Sequence, residues 1–129
     1  MKRLLIVEDQ ARDLHTAADL ARSTGFSVVD ARTSAMAAKV YLENGLRDEG
    51  TLPDAIILDL DLGYESGFEL MRFWHGNPRL SSIPLIVWTV LGDEQREICR
   101  LFKVSAYVSK LEDPARLSEA LGSLNGAVS

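Results

Sequence analysis

Four short apolar runs in this sequence each end on a group that can do chemistry. Residues 4–7 lead into Glu8 and Asp9, residues 55–58 into Asp59 with Asp61 close behind, residues 84–88 into Thr89, and residues 106–108 into Ser109 and Lys110. Each group alone has a bland reading. Glu8 and Asp9 suit the positive end of a following helix, Asp59 suits a turn, Thr89 suits a strand, and a lysine is usually solvated. Together they mean more. Two like charges 4 Å apart repel by about 4 kcal/mol at an effective dielectric near 20, so clustered carboxylates require a cation. A hard divalent ion fits, and magnesium is typically held by one or two carboxylates plus phosphate oxygens. In such a pocket Lys110 adds a second positive charge, and the Thr89 hydroxyl a donor, for the remaining phosphoryl oxygens. A carboxylate left over can be a nucleophile, because aspartate attacks phosphorus to give an aspartyl phosphate.

An open α/β sheet brings such groups together, since its ligands bind outside the carboxyl ends of the strands. The four runs and a fifth at residues 28–29 are rich in β-branched residues and mostly apolar without alternation, the pattern of parallel strands covered on both faces. Between them the apolar spacing becomes helical. Leu14, Ala17, Ala18 and Ala21 fall at i, i+3, i+4, i+7, as do Leu117, Ala120, Leu121 and Leu124. Ala37, Val40 and Tyr41 mark a second helix, Leu70, Met71 and Trp74 a third, and Ile98, Leu101 and Phe102 a fourth. Ser34 and Asp113 are N-cap candidates, with Pro114 at the first helical position, and Gly25 and Gly122 lie near helix ends. Strand and helix alternate five times, and crossovers are right-handed, so the expected fold is a doubly wound three-layer α/β sandwich. The stretch 44–53 reads as one long surface connection.

The composition bounds the function. A chain of 129 residues is sized for one domain, taken as residues 1–129. Fourteen Lys and Arg against nineteen Asp and Glu leave a net charge of -5, with no basic cluster to meet a phosphate backbone, so direct nucleic-acid binding is not expected. No apolar stretch approaches the ~20 residues of a membrane span. One cysteine, Cys99, allows neither an internal disulfide nor a thiolate metal cage, and a cytoplasmic setting is expected. His15 and His75 are isolated and read as surface residues, Cys99 as a helix hydrophobe, and Trp74 and Trp88 as packing against the sheet.

At this point the residues resemble a known family, the receiver domain of two-component response regulators, over essentially the whole chain. Glu8-Asp9 correspond to its acidic pair, and Asp59 in PDAIILDLDLGYESGFEL to its phosphoacceptor. Gly67 falls eight residues later, where the family has its loop glycine. Thr89, 30 residues after Asp59, matches the family's Thr or Ser in IPLIVWT, and Lys110 its lysine in AYVSK. Tyr107, three residues before Lys110, matches the aromatic that turns inward on activation. The resemblance implies a flavodoxin-like (βα)5 fold, with its five-stranded parallel sheet in the order 2-1-3-4-5. It implies magnesium (Mg2+) held by Asp9, Asp59 and the Asp61 carbonyl, with Glu8 acting through water. It also implies phosphoryl transfer to Asp59 from a sensor histidine kinase or phosphotransfer protein, and a switch through Thr89 and Tyr107. The α4-β5-α5 face, made by the fourth helix, fifth strand and fifth helix, would then bind a downstream protein or a second copy of the chain. Such a protein is a phosphoacceptor, not a turnover enzyme.

Several positions depart from the family. Leu111 follows Lys110 where proline is usual, Leu62-Gly63 replace a common Met-Pro and should loosen the loop, and Val90 stands beside Thr89 where a small residue is usual and should crowd the pocket. Rival readings are a phosphorylation-independent pseudo-receiver, a haloacid-dehalogenase-type phosphatase and a flavodoxin-like redox protein. All five core residues argue against the first. The second places its D-x-D strand before its acidic pair, the reverse of the order here. The third needs a Ser/Thr/Gly-rich phosphate loop where this chain has EDQARD.

Overall fold

A computed structural model describes residues 2–48, 51–63 and 65–124. Strands β1 (Lys2–Val7), β2 (Phe26–Arg32), β3 (Ala55–Leu58), β6 (Leu85–Thr89) and β7 (Ala106–Ser109) form one sheet in the order β2-β1-β3-β6-β7. Every pairing in it is parallel. This is the order 2-1-3-4-5 that the resemblance implies. The labels differ because two-residue strands β4 (Asp61–Leu62) and β5 (Glu65–Ser66) form a separate antiparallel hairpin after β3.

The apolar strands lack alternation because both faces are covered. Leu5, Val7, Ile56, Leu58, Leu85 and Val87 point into one core, with α2 (Ala35–Arg47), α3 (Phe68–His75) and the buried Cys99 of α5 (Asp93–Leu101). Leu4, Ile6, Ala55, Ile57, Ile86, Trp88 and Val108 point into the other, under α1 (Ala11–Ser23) and α6 (Ala115–Leu124). A short α4 (Pro78–Ser81) follows α3. Small residues let α1 lie close to the sheet, since Ala17 and Ala21 are fully buried. The expected caps form: the Ser34 hydroxyl accepts from the Ala37 N–H at 3.0 Å, and Asp113 Oδ1 from the Ala115 N–H at 2.9 Å.

Three sequence expectations change in detail. The segment 44–53 is not all loop, because α2 continues to Arg47 and packs Gly45 against Leu52. Its buried stripe is Ala35, Ala38, Leu42 and Gly45, leaving Val40 exposed. Helix α5 turns Ile98 and Leu101 outward and buries only Cys99. No described helix is long and apolar enough to cross a membrane.

Candidate functional site

Parallel pairing sets the strand ends side by side. The Asp59 N–H donates to Val7 O at 3.1 Å, which locks the end of β3 to the end of β1. The Lys110 N–H donates to Thr89 O at 2.9 Å and does the same for β7 and β6. Glu8, Asp9, Asp59, Thr89 and Lys110 thereby reach one edge of the sheet.

The Lys110 side chain organises the cluster. Its ammonium lies 2.6 Å from Glu8 Oε1 and donates to Asp59 Oδ2 at 2.7 Å and to Asp13 Oδ2 at 2.8 Å. An ammonium has three N–H groups, and three carboxylates surround this one. The side chain is only 8% exposed and sits 5.0 Å from the centre of the Trp88 ring, within cation–π range. Burial alone would lower the Lys110 pKa. The contacts with Asp13, Asp59 and Glu8 outweigh burial and raise it above the ordinary lysine value. Burial pushes Glu8 the other way for an acid, up to about 7, against the pull of Lys110 and helped by the charge of Asp59.

Asp13 is the member that the sequence reading passed over. It shares a helix face with Ala17 and Ala21, four and eight residues on. That face is buried against the sheet, so a carboxylate at its amino-terminal end falls over the strand ends. The helical spacing that marked Ala17 and Ala21 was therefore the available signal.

One carboxylate oxygen from each of Glu8, Asp9 and Asp59 lies within 4.8 Å of the others. Asp9 Oδ1 is buried with no hydrogen-bond partner. Three hard oxygen donors and an orphaned buried carboxylate oxygen suit a divalent cation. Asp61 enters differently: its N–H donates to Asp59 Oδ1 at 3.0 Å, while its own carboxylate is exposed and accepts from the Gly63 N–H at 3.4 Å.

Two glycines keep the site's walls in place. Gly63 has φ +74°, left-handed backbone that glycine adopts without strain. A Cβ there would stand 3.1 Å from Asp9 Oδ2. Gly67 has ordinary helical φ, but a Cβ on it would collide with the Asp59 carbonyl oxygen and Leu60 Cα. The loop after Asp59, where Leu62-Gly63 were expected to loosen the chain, carries the paired strands β4 and β5, and a Glu65 carboxylate oxygen accepts the Ala35 N–H at the start of α2.

Thr89 is fully buried, and its hydroxyl accepts the Leu91 N–H at 3.4 Å. The Tyr107 hydroxyl donates to Leu91 O at 2.7 Å and lies 3.2 Å from Gly92 O, so Tyr107 holds the loop that begins at Thr89. The Arg96 guanidinium sits 4.8 Å from the Tyr107 ring centre. Val90 is 48% exposed. Leu111 is exposed, and the described peptide bonds contain no cis bond.

No family model matches the sequence. Whole-chain comparison is more telling: the polar-differentiation response regulator DivK of Brucella ovis is 29% identical over 128 residues, 97% of each chain. The Mn2+-bound form of response regulator Rcp1 superposes with a TM-score of 0.77 at 25% identity, covering 97% of this chain and 92% of that one. Over nearly its whole length this chain is similar to response-regulator receiver domains. The receiver domain of a signal-transduction histidine kinase from Syntrophus aciditrophicus is similar again, with a TM-score of 0.79 and 25% identity over 100% of this chain and 93% of that one. A receiver is a signalling module, and its acidic edge here is suited to a divalent metal ion.

Proposed function

We propose that residues 1–129 work as one receiver that accepts a phosphoryl group on Asp59 and changes its binding partner in response. The observation that carries this reading is the surroundings of Asp59. Its Oδ2 is bonded to a buried lysine, its Oδ1 to a backbone N–H, and it belongs to the Glu8, Asp9, Asp59 cluster beside a buried threonine.

A sensor histidine kinase or phosphotransfer protein would supply the group from a phosphohistidine. An Asp59 carboxylate oxygen forms the new O–P bond as the P–N bond to imidazole breaks, and the imidazole leaves. Mg2+ held by Asp9, Asp59 and the Asp61 carbonyl, with Glu8 through water, would neutralise charge on the transferring oxygens. Lys110 exchanges a carboxylate contact for a phosphoryl oxygen, and the Thr89 hydroxyl donates to another. Such catalysis is mainly positioning and electrostatic stabilisation.

Movement of Thr89 toward the phosphoryl group displaces the backbone after it, including the Leu91 carbonyl that Tyr107 holds. Tyr107 would then rotate inward and alter the surface of α5, β7 and α6, the face expected to bind a downstream protein or a second copy of the chain. This is a shift between two populated states. A cytoplasmic setting follows from the same reading, with neither nucleic acid nor membrane as a direct partner.

The test is incubation with magnesium and a small acyl phosphate, followed by intact mass and site mapping. One phosphoryl group should map to Asp59, and Asp59→Asn should carry none. Normal labelling of that variant, or a label on Asp61, would sink the proposal.

A further inference from the structure

The proposed chemistry uses Glu8, Asp9, Asp59, Thr89 and Lys110, but Lys110 also donates to Asp13 Oδ2 at 2.8 Å. Asp13 stands apart from the other acids. It comes from the first turn of α1, its side chain is 33% exposed, and it lies outside the group of three carboxylates that could hold a cation. Among the described residues its side chain pairs with the one ammonium that a phosphoryl group on Asp59 would need.

We infer that Asp13 is a positioning residue that acts through Lys110, restraining the ammonium and so weakening the site's hold on a phosphoryl donor. The inference rests on Asp59 being the phosphoacceptor. Two physical effects point the same way. Lys110 already donates to Asp13 and Asp59 and lies 2.6 Å from Glu8 Oε1, so an incoming phosphoryl oxygen must compete with three carboxylates for its three N–H groups. Asp13 also adds a negative charge against the same ammonium that Asp59 contacts, in range of a doubly negative phosphoryl group. The carboxylate is partly exposed, so the effect remains open to salt screening. The cost to the unphosphorylated protein is small, because Glu8 and Asp59 remain to hold Lys110.

The experiment measures phosphorylation of the full chain by a small acyl phosphate in saturating magnesium, separating the half-saturating donor concentration from the limiting rate. Asp13→Asn keeps the side chain's size and removes its charge. Its half-saturating concentration should fall by about threefold or more, the factor for removing one like charge at ~6 Å under water-like screening. The ratio between parent and variant should shrink as salt is raised, which a merely structural role would not produce. Asp13→Glu should return the concentration toward the parent value, and unfolding curves should show all three proteins equally folded. If the parent labels on Asp59 and Asp13→Asn is indistinguishable from it, or binds donor more weakly, the role given to Asp13 is wrong while the acceptor assignment stands. If a folded parent takes no label, both fail.

Discussion

Replacing Lys110 with methionine removes the charge at the centre of the acidic edge and keeps an apolar chain against Trp88. Glu8 and Asp59 are almost wholly buried, and each loses the ammonium 2.6 or 2.7 Å away. Removing one partner of a buried ion pair typically costs about 3–5 kcal/mol, because the remaining charge is left uncompensated. A domain of ordinary stability, roughly 5–15 kcal/mol, survives that loss and can be measured. The loss should depend on pH. Glu8 is already pushed up to about 7, above its unfolded value, so the native state binds the extra proton between the two. Stability of the metal-free protein therefore falls as pH rises through that interval. Without Lys110 the Glu8 carboxyl rises further, and the penalty of Lys110→Met should be smaller at pH 6 than at pH 8.

Magnesium provides the second arm of the test. Removing a positive charge ~6 Å from the divalent cation, at an effective dielectric of ~40, favours binding by about 2.8 kcal/mol, or about a hundredfold. At a concentration ten times the parent's dissociation constant, mass action stabilises the parent by about 1.4 kcal/mol and the variant by about 4.1 kcal/mol. Urea unfolding followed by far-ultraviolet circular dichroism, with chelator or magnesium at pH 6 and 8, measures all of these. A loss under about 1 kcal/mol at pH 8, or a magnesium gain no larger than the parent's, refutes the picture of Lys110 as the cation that holds these carboxylates together.

Three further outcomes follow from other parts of the fold. Gly67→Ala should destabilise by about 1–3 kcal/mol in urea titrations, because the new methyl meets the Asp59 carbonyl and Leu60 Cα, backbone atoms that cannot rotate away; a midpoint equal to the parent's would contradict the close approach. Glu65→Ala removes the acceptor of the Ala35 N–H and should cost about 1 kcal/mol, with faster amide exchange at Ala35 as the local signature. Cys99 is buried, and burial pushes its thiol up to about 11, leaving about one thiolate in a thousand at pH 8; alkylation of the native protein should be far slower than in urea, and equal rates would contradict its burial.

The sheet and the strand-end residues were legible because they rest on local signals. Runs such as AIIL before Asp59 are apolar at every position, and burial on both faces of the sheet is the physical reason. The hairpin was not legible, because its stability comes from a distant partner: Glu65 reaches the first turn of α2, thirty residues earlier. No local pattern in LDLGYES reports that contact, and the replacement of a common proline by Gly63 argued for looseness. Helix α5 misled for the opposite reason. Ile98 and Leu101 have helical spacing, yet they face away from the core, and spacing alone does not say which face is covered.

Asp13 shows why a motif undercounts charge at such a site. Four carboxylates, from Glu8, Asp9, Asp13 and Asp59, share the strand ends with one ammonium, which contacts all of them but Asp9. If all four are ionised the edge carries an excess of negative charge, and two of its groups lack full compensation: Glu8, raised first by burial and further by the charge of Asp59, and Asp9. Glu8 holds its proton up to about 7, and Asp9 keeps one oxygen buried and unpartnered. A divalent cation relieves both at once, because it replaces the proton on the edge and supplies the missing partner of Asp9. Metal binding and loss of the Glu8 proton are therefore linked events, so cation affinity should weaken as pH falls through the range in which Glu8 takes its proton.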